Sequence, residues 1–166
     1  MNITIELIPE TEIYEVCETV ARACKQSTFA EFYPPLPQYF SIAPEEIKQK
    51  AESGHFYVVK DSGKIIGCGG IGAYWDSLTE GWINTIFVDP AYQRQGIGRK
   101  LIKFLERDEY AKRARRIEIH SSVSAIPFYR KLGYEHKDGQ LCYHDGMFDL
   151  EKILRTIEVK TNGDDG

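Results

Sequence analysis

The chain has 166 residues, a mean hydropathy of −0.38 and a formal charge of −4 at pH 7. That is the size of one domain able to bury a real core, no run approaches the ~20 apolar residues of a membrane span, and the net negative charge argues against a nucleic-acid partner. Met1-Asn2-Ile3-Thr4 begins nothing like a signal peptide, and Cys17, Cys24, Cys68 and Cys142 form no Cys-x-x-Cys pair, so buried thiols in a reducing cytoplasm are expected, with no metal site.

In chain order, Ile3 to Ile8 alternates as a strand. Thr11 is placed to cap a helix whose apolar stripe is Ile13, Val16/Cys17, Val20 and Cys24. Residues 28–41 are aromatic and proline-rich, and the prolines from Pro34 to Pro37 exclude a regular helix. Phe29, Phe32, Tyr33, Tyr39 and Phe40 are more aromatics than a surface loop needs, so this segment is expected to pack over a pocket. A polyproline ligand for a partner domain is the alternative. Pro44-Glu45-Glu46 starts a second helix, which Gly54 ends.

Strands follow at His55 to Lys60 and Lys64 to Trp75, joined by Asp61-Ser62-Gly63, and at Gly81 to Val88. Gly67-Cys68-Gly69-Gly70-Ile71-Gly72 matches Gly-x-Gly-x-x-Gly, but Ala73-Tyr74-Trp75 after it continues a strand. A dinucleotide site needs a helix opening on the glycines, so these glycines read as points of close backbone approach. A long helix with Ile97, Leu101, Ile102, Phe104 and Leu105 on one face continues to about Arg113. Arg115 to His120 is a strand, and Ser122 or Ser124 caps a helix that stops at Gly133. Tyr134 to Lys137 and Cys142 to Leu150 make a closing hairpin around Asp138-Gly139. The tail from Lys160 is expected to be disordered, leaving a single domain over residues 1–159.

The most informative stretch joins the third strand to the long helix: Val88-Asp89-Pro90-Ala91-Tyr92-Gln93-Arg94-Gln95-Gly96-Ile97-Gly98-Arg99. The first N–H groups of a helix lack internal partners, and the helix dipole puts partial positive charge there. A glycine turn opening such a helix is built to hold phosphate. No Gly-Lys-Ser/Thr follows, so it is not a Walker loop, and no third glycine completes a dinucleotide fingerprint. Residues 94–116 also hold nine of the 21 lysines and arginines, a field suited to steering an anion, although Glu106, Asp108 and Glu109 are placed to balance much of it.

Gln93-x-x-Gly96-x-Gly98 after a Val-x-Pro strand end resembles the acetyl-CoA signature of the GNAT superfamily of N-acetyltransferases. Ala125-Ile126-Pro127-Phe128-Tyr129-Arg130-Lys131-Leu132-Gly133-Tyr134 resembles that family's later Ala-x-x-Phe/Leu-Tyr-x-Lys-x-Gly-Phe/Tyr motif. The resemblance implies a mixed α/β fold: a mostly antiparallel sheet flanked by helices and splayed at the cofactor site. It implies acetyl-CoA as co-substrate, without a metal, bound by main chain at Ile86, Phe87 and Val88, by Gln93, Arg94, Gln95, Gly96, Ile97, Gly98 and Arg99, and by Ser122 and Phe128. Ser122 departs from the family, where many relatives carry an Asn. Tyr129 is the implied general acid at the leaving sulfur.

The base is open between Glu80, acting through a water, and His120. Trp82 and Asn84, which cannot serve as bases, hold the positions where relatives often place one, and with Tyr33 they are assigned to the acceptor pocket. The expected function is acetyl transfer to a primary amine of a small molecule or peptide by direct attack. A non-catalytic acyl-CoA-binding or sensing module is the alternative. No nucleic-acid or membrane partner is expected, and the protein is read as a monomer or homodimer.

Overall fold

The computed structural model describes residues 1–26 and 41–154. The aromatic and proline-rich segment, with Phe29, Phe32, Tyr33, Tyr39 and Phe40, and the C-terminal tail therefore lie outside the described residues.

The elements are β1 (Ile3–Leu7), α1 (Ile13–Gln26), α2 (Pro44–Ser53), β2 (Gly54–Asp61), β3 (Lys64–Ala73), β4 (Glu80–Val88), α3 (Ile97–Leu105), α4 (Glu109–Arg113), β5 (Arg116–Ser121), α5 (Ile126–Arg130), β6 (Glu135–His136), β7 (Tyr143–His144) and β8 (Met147–Ile153). They build one sheet in the order β1-β2-β3-β4-β5-β8-β6, with β7 paired to β8. Among the described residues β4 and β5 form the one parallel pair; the rest are antiparallel. This is the mixed, mostly antiparallel α/β sheet expected from sequence.

Apolar side chains leave both faces of the sheet, and each face has its own core. Ile13, Val16, Val20 and Cys24 of α1 and Ile47 of α2 pack with Phe56, Val58, Ile65 and Cys68 on one side. On the other, Ile97, Leu101, Ile102 and Leu105 of α3 pack with Ile66, Ile83, Ile117, Ile119, Tyr129, Tyr134 and Leu150. Each such side chain, fully removed from water, contributes roughly 1.5–3 kcal/mol. The glycine run lies inside β3 as expected. A Cβ on Gly69 would come within 2.6 Å of Ile86 Cδ1 and 3.1 Å of Leu101 Cδ2, so its bareness lets α3 settle onto the strand. Among the described residues no helix is long and apolar enough to cross a membrane.

Four local expectations are corrected. Thr11 does not cap α1; it lies in a short 3-10 turn, Glu10–Glu12, that runs directly into the helix. The long helix breaks after Leu105 because Asp108 starts a new one, its carboxylate accepting from the Tyr110 N–H at 2.9 Å. Neither Ser122 nor Ser124 caps α5 with its side chain; the two hydroxyls lie 3.3 Å apart, beside a 3-10 turn that precedes the helix. The strand after Tyr134 does pair antiparallel with the last strand as expected, His136 opposite Leu150. The tight turn of the final hairpin, however, is at Asp145-Gly146, not at Asp138-Gly139, because β7 intervenes and pairs with β8 through His144 and Met147. Asp138-Gly139 sits instead in a 3-10 turn.

Candidate active site

The parallel pairing of β4 and β5 starts at Glu80 with Arg116 and ends at Ile83 with Ile119. Beyond that point β4 stays with β3 as far as Val88, and β5 stays with β8 as far as Ser121. The two strands therefore separate into a V-shaped gap. A bulge helps to create it: Thr85 has φ of 55°, and the register with β3 slips at Gly69. A β-branched residue in the left-handed region is strained, and such strain is characteristic of functional sites.

Peptide groups alternate along an antiparallel strand. The Asp89 N–H turns toward β3, donating to the Ile66 carbonyl at 2.8 Å, so Val88 and Ile86 turn toward the gap and Phe87 turns toward β3, where it is registered with Cys68. The gap thus meets main chain from two of the three residues expected there. The Val88 carbonyl accepts from Gln93 Nε2 at 3.0 Å, which leaves its N–H together with the Ile86 groups.

The turn after β4 is tied down from several sides. Buried Asp89 accepts from the Ala91 N–H at 3.0 Å and from Arg22 Nε of α1 at 3.1 Å. Gln93 and Gln95 brace it through the carbonyls of Val88 and Ala91. Arg94 and Gly96 are left-handed, with φ of 62° and 82°, a backbone pattern that draws successive N–H groups into an anion-binding nest. The first helical bond of α3 is donated by Lys100 to the Gly96 carbonyl at 3.0 Å, so the N–H groups of Ile97, Gly98 and Arg99 have no acceptor inside the helix. A Cβ on Gly98 would lie 3.2 Å from the Phe128 ring, which shows how closely that ring covers the helix start.

The basic face is not neutralised as the sequence suggested. Glu106 pairs with Lys152, while Asp108 and Glu109 pair with His55. Among the described residues Arg94, Arg99, Lys100, Lys103 and Arg107 form no ion pair. An N–H nest at a helix start, rimmed by unpaired cations, fits the phosphates of a nucleotide-bearing thioester.

On the α1/α2 side of the sheet a cleft of about 320 Å³ is lined by Val20 and Cys24 of α1, Glu46 and Lys50 of α2, Trp82, Asn84 and Phe87 of β4, His120 of β5, and Asp145 and Met147 beside β8. Lys50 Nζ lies 4.7 Å from the Trp82 ring centroid, and burial lowers the pKa of its ammonium against the opposing pull of Glu46. Trp82 Nε1 is buried without a hydrogen-bond partner among the described residues. A donor stranded in a cleft wall suits a polar acceptor group. Tyr33, assigned to the same pocket, lies outside the described residues.

The two base candidates are separated. Glu80 is bound to Arg116 Nε at 2.9 Å, at the closed end of the β4–β5 pair, and does not line the cleft. His120 does, half-buried against Trp82, with Nε2 at 3.1 Å from Glu118 Oε1 and 3.7 Å from Asp149 Oδ1. Sequence reasoning missed Glu118 altogether. It is 1% exposed and held by Arg116, Lys137 and His120. Burial opposes its ionisation, but the bonds from His120, Lys137 and Tyr74 outweigh that and bring its pKa down to about 2. The hint was its placement one residue from each of two apolar strand positions, Ile117 and Ile119.

Tyr129 is buried between Phe128 and Tyr134, with ring centroids at 5.1 and 6.0 Å. Its hydroxyl has no hydrogen-bond partner among the described residues, and burial pushes its phenol well above the ordinary range. It is protonated at any physiological pH.

Comparison with known proteins places this geometry. Residues 21–134 match the model of the Acetyltransferase (GNAT) family. An uncharacterized N-acetyltransferase of Methanocaldococcus jannaschii is 39% identical over 98 residues, which is 54% of this chain and 42% of that protein, so the chain matches less than half of that relative's length. The uncharacterized N-acetyltransferase YafP of Escherichia coli is 24% identical over 81% of this chain and 82% of its own. The PaiA N-acetyltransferase of Thermoplasma acidophilum, solved in complex with coenzyme A, has the same fold, with a TM-score of 0.77 and 16% identity over 92% of this chain and 99% of that one. The chain belongs to the GNAT family of acetyltransferases, enzymes that draw their acetyl group from acetyl-CoA.

Proposed function

We propose that this protein transfers the acetyl group of acetyl-CoA to a primary amine of a small molecule or peptide by direct attack. The observation that carries this reading is the β4–β5 gap, flanked on one side by the unpaired basic turn and on the other by a cleft holding an imidazole. Acetyl-CoA supplies the activated acyl group. The N–H groups from Gly96 to Arg99 hold the pyrophosphate, and Phe128 and Ser122 border the arm that enters the gap. The N–H groups of Ile86 and Val88 point at the thioester carbonyl, where fixed donors facing developing negative charge are usually the largest catalytic effect.

Trp82 and Asn84 hold the acceptor amine. His120, oriented by Glu118, takes the proton that the amine sheds on attack. Tyr129 donates its hydrogen to the sulfur as the C–S bond breaks, and an N-acetylated amine and free coenzyme A thiol leave. That a proton acceptor lines the cleft supports transfer over a silent acyl-CoA-binding module. A cytoplasmic location belongs to the same reading, supported by Cys17, Cys24, Cys68 and Cys142 all being free thiols.

The test is thiol release from acetyl-CoA across a panel of amines, with His120→Gln and Glu80→Gln beside the wild type. Loss of kcat in His120→Gln, restored in part at high pH, with Glu80→Gln close to wild type, is the expected result. Acetyl-CoA that fails to raise the melting temperature at millimolar concentration overturns the assignment.

A further inference from the structure

We propose that His120, His144 and Asp149 form a site for a divalent transition metal, zinc above all, at the rim of the cleft, and that filling it silences acetyl transfer. One donor atom from each of the three residues lies within 4.8 Å of the others. His144 Nε2 is 2.7 Å and His120 Nε2 3.7 Å from Asp149 Oδ1, and the two imidazoles stand nearly perpendicular with centroids 5.4 Å apart. Zinc holds nitrogen and oxygen ligands at roughly 2.0–2.2 Å in a tetrahedron, which sets neighbouring donors about 3.3 Å apart. The three groups already bracket that spacing, and the adjustment falls on a residue free to make it.

The scaffold explains why these residues meet. His120 and Asp149 are direct cross-strand partners in the β5–β8 ladder, so the sheet fixes two ligands. His144 comes from the short β7 arm, across a turn in which Asp145 and Gly146 both have positive φ. Its side chain is 46% exposed, whereas that of Asp149 is 7% exposed, giving an entry path on one side and a rigid anchor on the other. Cys142 lies outside this three-donor group but is tied to one of its members. Its thiol hydrogen-bonds the Asp149 carboxylate, and its carbonyl accepts from the Asp149 N–H at 3.1 Å. Two imidazoles and a carboxylate favour zinc, copper or nickel over magnesium or calcium.

A metal on His120 takes the Nε2 lone pair, so the ring carries its proton on Nδ1 and gives up its bond to Glu118, which retains Arg116 and Lys137. The inhibitory half of the proposal rests on His120 being the base, as the proposed function has it; the binding half does not.

Titration of the whole protein with cobalt(II) should give one equivalent with a visible ligand-field band, which zinc then bleaches. Zinc should also raise the melting temperature by mass action. His144→Ala, at an exposed position outside the catalytic groups, should keep its fold and its metal-free turnover while losing at least tenfold in zinc affinity. Cys142→Ser reports the thiol's share, and Asp149→Asn is the second ligand variant. Turnover is read as acetylated amine by mass spectrometry, because the coenzyme A thiol itself binds zinc. Absence of stoichiometric binding, or equal zinc affinity in wild type, His144→Ala and Asp149→Asn, overturns the site. Stoichiometric binding that leaves turnover unchanged supports the site and overturns the inhibition, removing His120 from the proton path. Binding in a protein that turns over no amine supports the site while the acetyltransferase reading fails.

Discussion

Tyr129→Phe sets stability against catalysis in one substitution. The ring contacts with Phe128 and Tyr134 survive, because Phe occupies the same volume. Only the hydroxyl is lost; it forms no hydrogen bond within the described residues, and although the residue is buried its oxygen is not among the atoms sealed from solvent. Leaving such a group unsatisfied costs a folded protein about 1–3 kcal/mol, less where some solvent reaches it. The variant should therefore be as stable as the wild type or more so, by up to about 1 kcal/mol, which for a chain of this size is a rise of roughly 2–4 °C in Tm. Catalysis should move the other way. A positioned acid is worth about 10²–10⁴-fold, or roughly 3–5 kcal/mol of transition-state stabilisation, and the loss should appear equally in kcat and kcat/KM because the bond strengthens as charge reaches sulfur. The assay is thiol release on a good acceptor beside a thermal melt with and without acetyl-CoA. Turnover within a few-fold of wild type refutes the acid role. A loss of more than 1 kcal/mol of stability shows instead that the hydroxyl serves the fold.

Three further outcomes are expected. Gly98→Glu should fold, since its backbone is ordinary helix and only the Phe128 ring must give way, by a few tenths of an ångström; acetyl-CoA should no longer raise its melting temperature. Glu118 has a folded pKa of about 2, below its ordinary 4.5, so it contributes stability that is complete above pH 4.5 and lost as the pH falls toward 2, on the order of 3 kcal/mol. Urea denaturation at stepped pH should accordingly show the gap between wild type and Glu118→Gln closing through that window. Arg99→Glu with Lys100→Glu should slow acetyl-CoA association and flatten its dependence on ionic strength, with little change in melting temperature; stopped-flow traces in low and high salt decide it.

Where local chemistry and tertiary pairing agree, the sequence was a sufficient guide. The α1 stripe of Ile13, Val16, Val20 and Cys24 faces the core as its spacing requires. The glycine run of β3 is a strand because no α-helix opens on its glycines, although the strand ends at Ala73 and Tyr74–Asp76 form a 3-10 turn instead of continuing it. The final hairpin was misread for a definable reason. Asp138-Gly139 and Asp145-Gly146 are the same dipeptide, both favourable for a tight turn, and only the ladder partners available to Cys142 and Tyr143 decide between them. The bulge at Thr85 has no local signal at all. A threonine does not seek positive φ; Thr85 adopts it where the β3–β4 register slips between Cys68 and Gly70, a matter of strand pairing and not of local sequence. His120, by contrast, could be named from the strand end it occupies, but its environment of Glu118, Asp149 and His144 is assembled from positions up to 29 residues away.

The short parallel pairing of β4 with β5 also has a mechanical side. Four registered residues, Glu80 to Ile83, join the half of the sheet that carries the phosphate turn to the half that carries His120 and α5. Beyond them the halves are held by the side-chain core they share, which includes Ile97 and Leu101 of α3 with Tyr129, Tyr134 and Leu150 and resists separation but tolerates small sliding better than a ladder of backbone bonds. The molecule should therefore be softest along this line when empty. A thioester arm lying in the gap completes the missing ladder and works as a splint. Amide exchange should register it as slowed exchange at Ile86 and Val88, spreading to Ile119 and His120 on the far bank, while β1 to β3 keep the protection they already had.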